Sequence, residues 1–332
     1  MGRTYLLPLL LGLTACGQGL HPLPPLISQD STAPVTSVEQ LLRITVFDVG
    51  QGDAALIRAP NGASILIDGG PPGTGQDVIL PYFVEHGIDR LDLSLASHYD
   101  LDHIGGLPEV FDGPDGIAST SDDLLPVACW DRGGAIPDDT APVRVYADRR
   151  SPCHHEAAPG IQLPVAEGLT LTVLAVNGRF ADGTMVPLDP ADENAHSMAI
   201  LLTYRQFTYL SLGDLPGGGG DPPYTAIDLE TPLAALLGPV DLLYIAHHGS
   251  HTSTNQTLLD AASPGAAIIS VGNANPYGHP HRAVLDRLAA RGIPIYLTEG
   301  GDNTPPPGSV VSNGHIEITT DGRGVTTISG TQ

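Results

Sequence analysis

Four side chains of the kind that bind metal ions lie within six positions of the sequence. His98, Asp100, Asp102 and His103 occur in the stretch LASHYDLDHIGG. Imidazole nitrogens and carboxylate oxygens are ordinary ligands of divalent ions, and a two-metal site needs several of them on a short segment. A single histidine or aspartate after a strand is most often a solvated loop residue. Four together, followed by two glycines, predict a loop that offers two ligands to each of two ions.

The segment before these residues explains how they could converge. The run LDLSLAS is apolar enough to be a buried strand that ends just before His98. If the strand continued, positions 98, 100 and 102 would point to one face and His103 to the other. We therefore expect a tight loop at the strand end, with all four side chains on a turn outside any regular element.

Five further blocks accompany this loop in chain order. They are FDVGQGDAALI (47–57), ILIDGG (65–70), SLGDL (211–215), IAHHGS (245–250) and SVGNANPYGHP (270–280). Together the six blocks resemble the metallo-β-lactamase superfamily, whose signature is HxHxDH. They resemble in particular the hydrolase domain of ComEC-type competence proteins, which carry HxDxDHxGG. The resemblance covers roughly residues 43–300 and implies an α/β (α+β) chain folded as a four-layer αβ/βα sandwich.

The resemblance also implies ligands for the second ion. Asp214 occupies the position that bridges the two metals in the superfamily, where each carboxylate oxygen can serve one ion. Either His247 or His248 would join Asp102 and His103, and His247 is favoured because it is nearer the strand end.

For the first ion, His98 and Asp100 need a third partner. Many superfamily members supply a histidine there, and His196 is the candidate; ComEC-like sequences often have a polar NxxS pattern instead, which Asn194 and Ser197 would fit. Replacing the commoner histidine by Asp100 shifts the preference from zinc towards harder ions such as manganese. The expected cofactors are therefore two divalent ions, either zinc or manganese.

Other polar residues of the blocks are candidates for supporting and catalytic roles. Asp68 is placed by the resemblance to orient the metal loop, and Asp48 and Asp53 would have similar structural roles. Ser250 and His279 could hold a phosphate or protonate a leaving group. Together with Asp102 they form the candidate catalytic set.

The implied reaction is hydrolysis by a metal-activated water, without a covalent intermediate. The first hypothesis is a phosphodiesterase or nuclease, with single-stranded DNA as one candidate partner. A second is a hydrolase of small esters, lactones or choline phosphoesters, and a third is a non-catalytic surface-binding lipoprotein. The intact ligand set argues against the third.

Charge weighs against long nucleic acids as substrates. The net charge is −23, and all 14 basic residues are Arg. Such a chain lacks the broad basic surface that gives most nucleic-acid binders their affinity. An acidic surface instead suits neutral or cationic substrates, or solubility in a salty or acidic medium.

The N-terminus has the form of an export signal. Residues 1–15 carry Arg3 and the apolar run LLPLLLGL, which is too short to cross a bilayer as a helix. LTAC, ending in Cys16, resembles a bacterial lipobox, although an ordinary cleaved signal is the alternative. We expect a lipoprotein signal (1–15), a lipidated Cys16 with a flexible linker (16–40) and one hydrolase domain (41–332). The protein would then lie on the outer face of a bacterial membrane, attached to its surface by lipid, with no membrane-spanning channel.

Two cysteines remain besides Cys16. Cys129 and Cys153 form an even pair in an expected exported domain, which suggests a disulfide, with two free buried thiols as the alternative. His154 and His155 lie beside Cys153 without a spaced partner, so a metal site there is not favoured.

Hydrophobic patterning places the blocks on alternating elements. Residues 43–57 and 63–70 predict a strand pair turned at Pro60, Asn61 and Gly62, and residues 77–87 predict a helix. After an irregular region to about residue 167, strands are expected at LTLTVLAV, SMAILLTY, FTYLSLGD, VDLLYIA, AAIISV and IPIYLT. Helices are expected at about 225–237, 254–262 and 281–291. The segment GSVVSNGHIEITTDG predicts a closing hairpin.

Overall fold

Two mixed β-sheets form the centre of the described chain, which comprises residues 41–136, 140–220 and 225–331 of a computed structural model. The strands are β1 (Leu42–Val46), β2 (Ala55–Arg58), β3 (Ser64–Ile67), β4 (Leu93–Ala96), β5 (Ala128–Asp131), β6 (His154–Glu156), β7 (Gln162–Ala166), β8 (Leu169–Val176), β9 (Arg179–Phe180), β10 (Ala199–Tyr204), β11 (Phe207–Ser211), β12 (Leu242–Tyr244), β13 (Ala266–Ile269), β14 (Ile295–Leu297), β15 (Val310–Val311), β16 (His315–Thr320) and β17 (Val325–Thr331). The α-helices are α1 (Leu80–Glu85), α2 (Leu101–Ile104), α3 (Leu107–Phe111), α4 (Ala141–Arg150), α5 (Glu230–Ala234), α6 (Gln256–Ala262) and α7 (Arg282–Ala290).

The first sheet has the order β17-β16-β1-β2-β3-β4-β5-β6. Its strands are antiparallel from β17 to β3 and parallel from β3 to β6. The second sheet has the order β15-β14-β13-β12-β11-β10-β8-β7, with β9 paired to β8. It is antiparallel from β7 to β11 and parallel from β11 to β15. Each sheet therefore has a block of parallel strands whose carboxyl ends can carry functional loops.

Helices cover one face of each sheet. α1, α3 and α4 pack on the first sheet in a core that includes Phe83, Phe111 and Tyr146. α5, α6 and α7 pack on the second sheet through residues such as Leu233 and Leu285. All residues of β3, β4, β12 and β13 are buried, so the other faces are covered as well. The result is the predicted four-layer αβ/βα sandwich.

The structure corrects several expected elements. The stretch 43–57 is two antiparallel strands, β1 and β2, separated by the turn DVGQGD, in which Gly50 has a φ of 68°. The expected helix at 77–87 is a π-helical turn (Gly75–Ile79) followed by α1, and the helix at 225–237 is reduced to α5. The region before residue 167, expected to be irregular, contains β5, β6 and α4.

The closing hairpin also differs from its expectation. It is formed by β16 and β17 and pairs with β1 of the first sheet, whereas β15 adds to the edge of the second sheet. Short edge strands carry weak patterns of their own, so tertiary pairing decides where they go.

The predicted disulfide is confirmed. Cys129 and Cys153, which are 24 positions apart in sequence, are joined. Cys129 lies on β5 and Cys153 immediately precedes β6, its parallel neighbour. The bond therefore fixes the outer edge of the first sheet, close to the residues that follow β5.

The expected signal (1–15) and linker (16–40) lie outside the described residues. None of the described helices is long and apolar enough to cross a membrane.

A buried carboxyl group anchors the segment that follows IAHHGS. Glu230, at the start of α5, is fully buried and accepts hydrogen bonds from the backbone N–H groups of Thr254 and Asn255, both at 2.5 Å. Asn255 in turn caps α6 by accepting a hydrogen bond from Leu258 N. Burial raises the pKa of Glu230 to about 7, against the opposing effect of the two backbone N–H groups.

We expect the Glu230 carboxyl group to make stability depend on pH. Because its pKa is raised on folding, the folded state retains a proton that the unfolded state loses above about pH 4.5, so stability falls as pH rises towards 7. Relative to Glu230→Gln, which cannot titrate, the wild type should lose on the order of 2 kcal/mol between pH 5.5 and 8. Urea denaturation at several pH values measures this difference. Glu85→Gln, at an exposed position of α1, is the control; a Glu230 difference that stays constant with pH would contradict the prediction.

Candidate metal centre

Loops at the carboxyl ends of parallel strands bring the predicted ligands together. His98 follows β4 of the first sheet, whereas Asp214 follows β11 and His247 follows β12 of the second sheet. The two sheets meet closely here, because a Cβ placed on Gly213 would lie 2.7 Å from the side chain of Ser97. Residues from both halves of the chain can therefore share one centre.

The carboxylate of Asp214 lies between four imidazoles. Its Oδ1 is 3.2 Å from Nε2 of His103 and 3.9 Å from Nε2 of His248. Its Oδ2 is 3.5 Å from Nε2 of His247 and 4.0 Å from Nε2 of His98. Each oxygen thus faces its own pair of histidines, as a carboxylate that bridges two ions would.

We call Asp102, His103 and His248 the second-ion side. The ligand atoms of these three residues lie within 4.8 Å of one another. Asp102 Oδ2 is 3.2 Å from His248 Nε2. Both histidines are buried, whereas the Asp102 side chain is 33% exposed. This side is closed by protein except at Asp102.

We call His98, Asp100, Asn194 and His247 the first-ion side. Nε2 of His98 is 3.5 Å from Oδ2 of Asp100, whose side chain is 46% exposed. Nδ2 of Asn194 is 3.5 Å from Nε2 of His247, and its Oδ1 is buried without a hydrogen-bond partner among the described residues. An unpartnered amide oxygen in this position is suited to a ligand role.

The secondary structure of residues 98–103 differs in detail from the expected loop. His98 and Asp100 lie on an irregular segment, but Asp102 and His103 belong to α2, a four-residue helix that begins at Leu101. The helical turn, rather than a continuous loop, directs His103 inwards.

The structure places His248, rather than the favoured His247, against Asp102. Both histidines have positive φ angles of 52°. This left-handed turn sends the two rings in different directions, with an angle of 77° between their planes. Nearness to the strand end was therefore the wrong guide to which ring faces which carboxylate.

His196 is not brought into the cluster. Its Nδ1 lies 2.8 Å from Oδ1 of Asn177, and its residue closes the 3-10 turn Asn194–His196. Asn194, at the start of that turn, faces the cluster instead. Ser197 supports the centre from behind, since its Oγ accepts a hydrogen bond from Asp214 N at 3.1 Å.

Two buried carboxylates lie behind the histidines of the second-ion side. Asp68 Oδ2 is 3.0 Å from Nδ1 of His103, and Asp68 also accepts hydrogen bonds from the backbone N–H and hydroxyl of Ser97. Asp53 Oδ1 is 3.1 Å from Nδ1 of His248, although this pair lacks hydrogen-bond geometry. Such carboxylates fix the ring orientation and direct the other ring nitrogen towards an ion.

Asp48 has a different position. Its Oδ1 accepts a hydrogen bond from Gly50 N, and its own backbone N–H donates to His315 Nδ1. Its contacts are thus those of a turn residue.

The candidate catalytic residues outside the ligand set are separated. The ring of His279 lies 5.3 Å from that of His247, between centroids, and 5.6 Å from that of Tyr277. The Ser250 hydroxyl pairs with Thr252 Oγ1 at 2.9 Å. His279 therefore borders the centre, whereas the known contact of Ser250 is within its own loop.

The state of His279 follows from its neighbours. Burial, followed by the charges of His247 and His248, lowers the pKa of His279 to about 3. The amide of Gln51 lies 3.3 Å from His279 Nδ1, and its oxygen accepts from Gly272 N. With the amide so oriented, Nδ1 accepts and Nε2 carries the hydrogen. A neutral His279 can donate a hydrogen bond to a substrate oxygen.

Comparison with known proteins agrees with this geometry. Residues 47–117 match the metallo-beta-lactamase superfamily. The chain has a metallo-β-lactamase fold. It is 29% identical to competence protein ComA of Neisseria gonorrhoeae, over 87% of this chain and 36% of that protein. It is 26% identical to ComE operon protein 3 of Bacillus subtilis, over 77% of this chain and 32% of that protein. The resemblance to ComEC-type competence proteins is confirmed.

The metallo-β-lactamase-fold chain spans about a third of the length of these curated relatives. Among solved structures, zinc-bound PqqB from Methylobacterium extorquens is similar in fold. The match has a TM-score of 0.45 and 12% identity, over 76% of this chain and 97% of that one.

The donor set of this metallo-β-lactamase fold suits divalent ions. Ligand atoms of His98, His103 and Asp214 lie within 4.8 Å of one another. His98 Nε2, His103 Nε2 and Asp214 Oδ1 are buried without a hydrogen-bond partner in the described ranges. Buried polar atoms are rarely left in this way, so a ligand shared among them is expected.

The charges of the centre point in the same direction. Burial opposes protonation of His103, but Asp214 and Asp102 outweigh it, so the pKa of His103 is well above its usual range. The pKa of His248 is raised in the same way, chiefly by Asp53 and Asp214. Burial would raise the pKa of Asp214, but the neighbouring imidazoles hold it well below its usual range. The buried carboxylates are thus stabilised by positive charge, which either protons on the imidazoles or divalent ions can supply.

Sequence reasoning missed Gln51, Arg132 and Glu193 as contributors to this region. Gln51 lies within a quoted block and could have been singled out. Arg132 and Glu193 lie outside all the blocks, and no local pattern marks them.

The neighbouring histidines 247 and 248 give a direct test of the two sides. We expect His248→Ala to weaken binding of one ion and His247→Ala to weaken binding of the other, each by more than about 100-fold, since even supporting residues typically contribute 10–100-fold. The double variant should bind neither ion tightly. Metal content measured by mass spectrometry, with electron paramagnetic resonance of manganese-loaded protein, distinguishes coupled pairs from single ions. Full retention of two ions in His247→Ala would remove His247 from the ligand set.

Proposed function

We propose that this protein is a metal-dependent hydrolase of phosphodiesters that works with two divalent ions, either zinc or manganese. The observation that carries the proposal is the division of Asp214 between two pairs of histidines. Each pair is completed by a partly exposed carboxylate, Asp100 on the first-ion side and Asp102 on the second. The abundance of carboxylates favours manganese more than an all-histidine set would.

The residues of the chain divide the work as follows. Asp214 sets the separation of the two sides, and Asp68 and Asp53 hold His103 and His248 with Nε2 directed into the centre. When bound, two divalent ions would supply a water of lowered pKa and stabilise negative charge that develops on the attacked group. The partly exposed side chains of Asp100 and Asp102 mark where a substrate can enter.

His279 is the best-placed residue for contact with a substrate oxygen. It is neutral over the physiological range because of its lowered pKa, so it donates a hydrogen bond without carrying charge. We therefore assign it a role in orienting the phosphoryl group, and we give Ser250 only a role in shaping its loop.

The choice of phosphodiesters is supported by the competence proteins to which the chain is similar. Single-stranded DNA is the natural candidate of this class. The net charge of −23 opposes extended binding along a long polyanion, so short or locally exposed strands fit better. The same charge favours the alternative, a hydrolase of small neutral esters, lactones or choline phosphoesters. A non-catalytic surface-binding lipoprotein is the remaining alternative.

We further propose that the protein is exported and attached by lipid at Cys16 to the outer face of a bacterial membrane. The support is the N-terminal pattern of an apolar run followed by LTAC. The disulfide between Cys129 and Cys153 fits an oxidising compartment.

Hydrolysis assays test the proposed activity. Metal-stripped protein should be inactive on bis-p-nitrophenyl phosphate and on a short single-stranded DNA, and zinc or manganese should restore turnover. Asp214→Asn should lower kcat/KM by more than about 100-fold, because it replaces one of the two oxygens between the sides by an amide nitrogen and removes the negative charge.

Asp286→Asn is the matched control, since Asp286 is an exposed carboxylate of α7 paired with Arg282. Turnover that persists without metal, or equally in Asp214→Asn, would overturn the mechanism. Two bound ions without phosphodiester turnover would transfer the proposal to esters and lactones. Absence of bound metal would favour the non-catalytic lipoprotein.

A further inference from the structure

A buried ion pair lies beside the first-ion side without contributing a ligand. Arg132 directly follows β5 of the first sheet, and Glu193 precedes β10 of the second. Nε and Nη2 of Arg132 donate to the two carboxylate oxygens of Glu193 at 2.6 and 2.8 Å. Their side chains are 6% and 10% exposed. The contact therefore ties the two sheets together with a two-point, charge-assisted hydrogen bond.

The pair holds the residue between two ligands. Tyr99 separates His98 from Asp100, and its backbone N–H donates to Glu193 Oε1 at 2.8 Å. The Arg132 guanidinium lies 4.0 Å from the centre of the Tyr99 ring. Tyr99 is thus held by Glu193 through a backbone hydrogen bond and by Arg132 through a cation–π contact with its ring.

The far end of the Tyr99 ring is fixed as well. Its hydroxyl donates to Asp131 Oδ1 at 2.8 Å. Asp131 is fully buried and is also paired with Arg150 at 3.0 Å. The segment that presents His98 and Asp100 is therefore held from three directions.

The same pair also contacts the segment that carries Asn194, on the opposite side of the first-ion side. Glu193 immediately precedes Asn194, whose amide faces His247. The carbonyl oxygen of Arg132 accepts a hydrogen bond from Asn177 Nδ2 at 2.6 Å, and Asn177 holds the ring of His196. His196 thus belongs to the residues that support the Asn194 segment.

The second-ion side has separate supports. His103 is held by Asp68 and His248 lies against Asp53. Neither Asp68 nor Asp53 contacts Arg132 or Glu193 in the hydrogen bonds and ion pairs of the described residues. Ser97 is a contact that both sides share, since its hydroxyl lies 3.0 Å from His98 Nδ1 and donates to Asp68 Oδ2. A change confined to Arg132 and Glu193 leaves this contact and the carboxylates of the second-ion side in place.

We propose that Glu193 and Arg132 are positioning residues that set the affinity of the first-ion side while leaving the second-ion side unaffected. The inference rests on the two-metal centre of the proposed function. It does not depend on which ester is hydrolysed, because its readout is metal binding.

The test uses two variants that leave no unpaired buried charge. Arg132→Met with Glu193→Leu removes the pair and the acceptor for Tyr99 N–H. Arg132→Met with Glu193→Gln removes the charges but keeps an amide oxygen for that N–H. Removing a single partner would leave a buried charge and risk unfolding, so single variants are avoided.

The expected result is selective. Manganese titrations of the purified protein are followed by electron paramagnetic resonance. The Leu-containing variant should bind one ion 10–100-fold more weakly than the wild type. The affinity for the other ion should stay within about twofold. The Gln-containing variant should recover part of the loss, because Tyr99 keeps its acceptor. Mere destabilisation of the fold would not produce this selectivity or this rescue.

Combination with the histidine variants identifies the affected side. Added to His248→Ala, the Leu-containing change should weaken binding of the ion that remains tightly bound by the same 10–100-fold. Added to His247→Ala, it should leave the remaining ion bound as in His247→Ala alone. The control is Arg149→Met with Asp112→Leu. It removes another ion pair, in which Arg149 Nε lies 2.6 Å from Asp112 Oδ1, and neither residue belongs to the ligand set.

Equal weakening of both ions, unchanged binding, or loss of the ion on the second side would overturn the proposal. If the wild type binds two ions but hydrolyses no phosphodiester, the proposed function fails and the positioning role is still decided by these titrations. If the wild type binds no manganese or zinc, both fail together.

Discussion

The structure depends on the concentration of negative charge that is buried where its two sheets meet. Asp53, Asp68 and Asp214 are almost fully buried, and Asp102 lies at the edge of the same cluster. Carboxylates removed from water are costly unless cations or donors compensate them. The surrounding imidazoles supply that compensation, directly as protonated rings or indirectly as ligands of divalent ions. Folding and ion binding are thus parts of one electrostatic problem in this chain.

The buried carboxylates are compensated only when both halves of the chain are present. The first sheet supplies His98 and the residues of α2, and the second supplies Asp214, His247 and His248. Neither half offers a complete set of ligands to an ion. The closeness of Gly213 to Ser97, where an added Cβ would lie 2.7 Å from the serine side chain, shows how little room separates the halves. A side chain at position 213 would push them apart and separate Asp214 from the histidines it lies between.

Much of this arrangement could be predicted from the sequence because its parts follow strands. The apolar runs before His98, Asp214 and His247 are readable, and the carboxyl ends of parallel strands are natural places for ligands. The fold class was implied by the family resemblance that the six blocks carry, and the order of predicted strands and helices suited it. The pairing of Cys129 with Cys153 followed from there being two cysteines in a domain expected to be exported.

The remaining details depended on backbone turns and distant contacts. Which of His247 and His248 lies beside Asp102 depends on two consecutive left-handed residues, which hydrophobic patterning does not predict. Which of His196 and Asn194 lies beside His247 depends on a single 3-10 turn. Arg132 and Glu193 meet across 61 positions of sequence, so no local signal connects them. The joining of β16 to β1 is equally a tertiary result.

The disulfide has a consequence for how the protein matures. Cys129 lies on β5, the strand that ends at Asp131, and Asp131 orients the tyrosine between two ligands. The disulfide therefore constrains β5, the strand whose last residue, Asp131, holds the Tyr99 side chain. In a reducing cytosol the two thiols would stay separate, and the chain would meet its ions before this edge was locked. The compartment in which the chain folds would therefore decide whether cross-linking precedes metal loading.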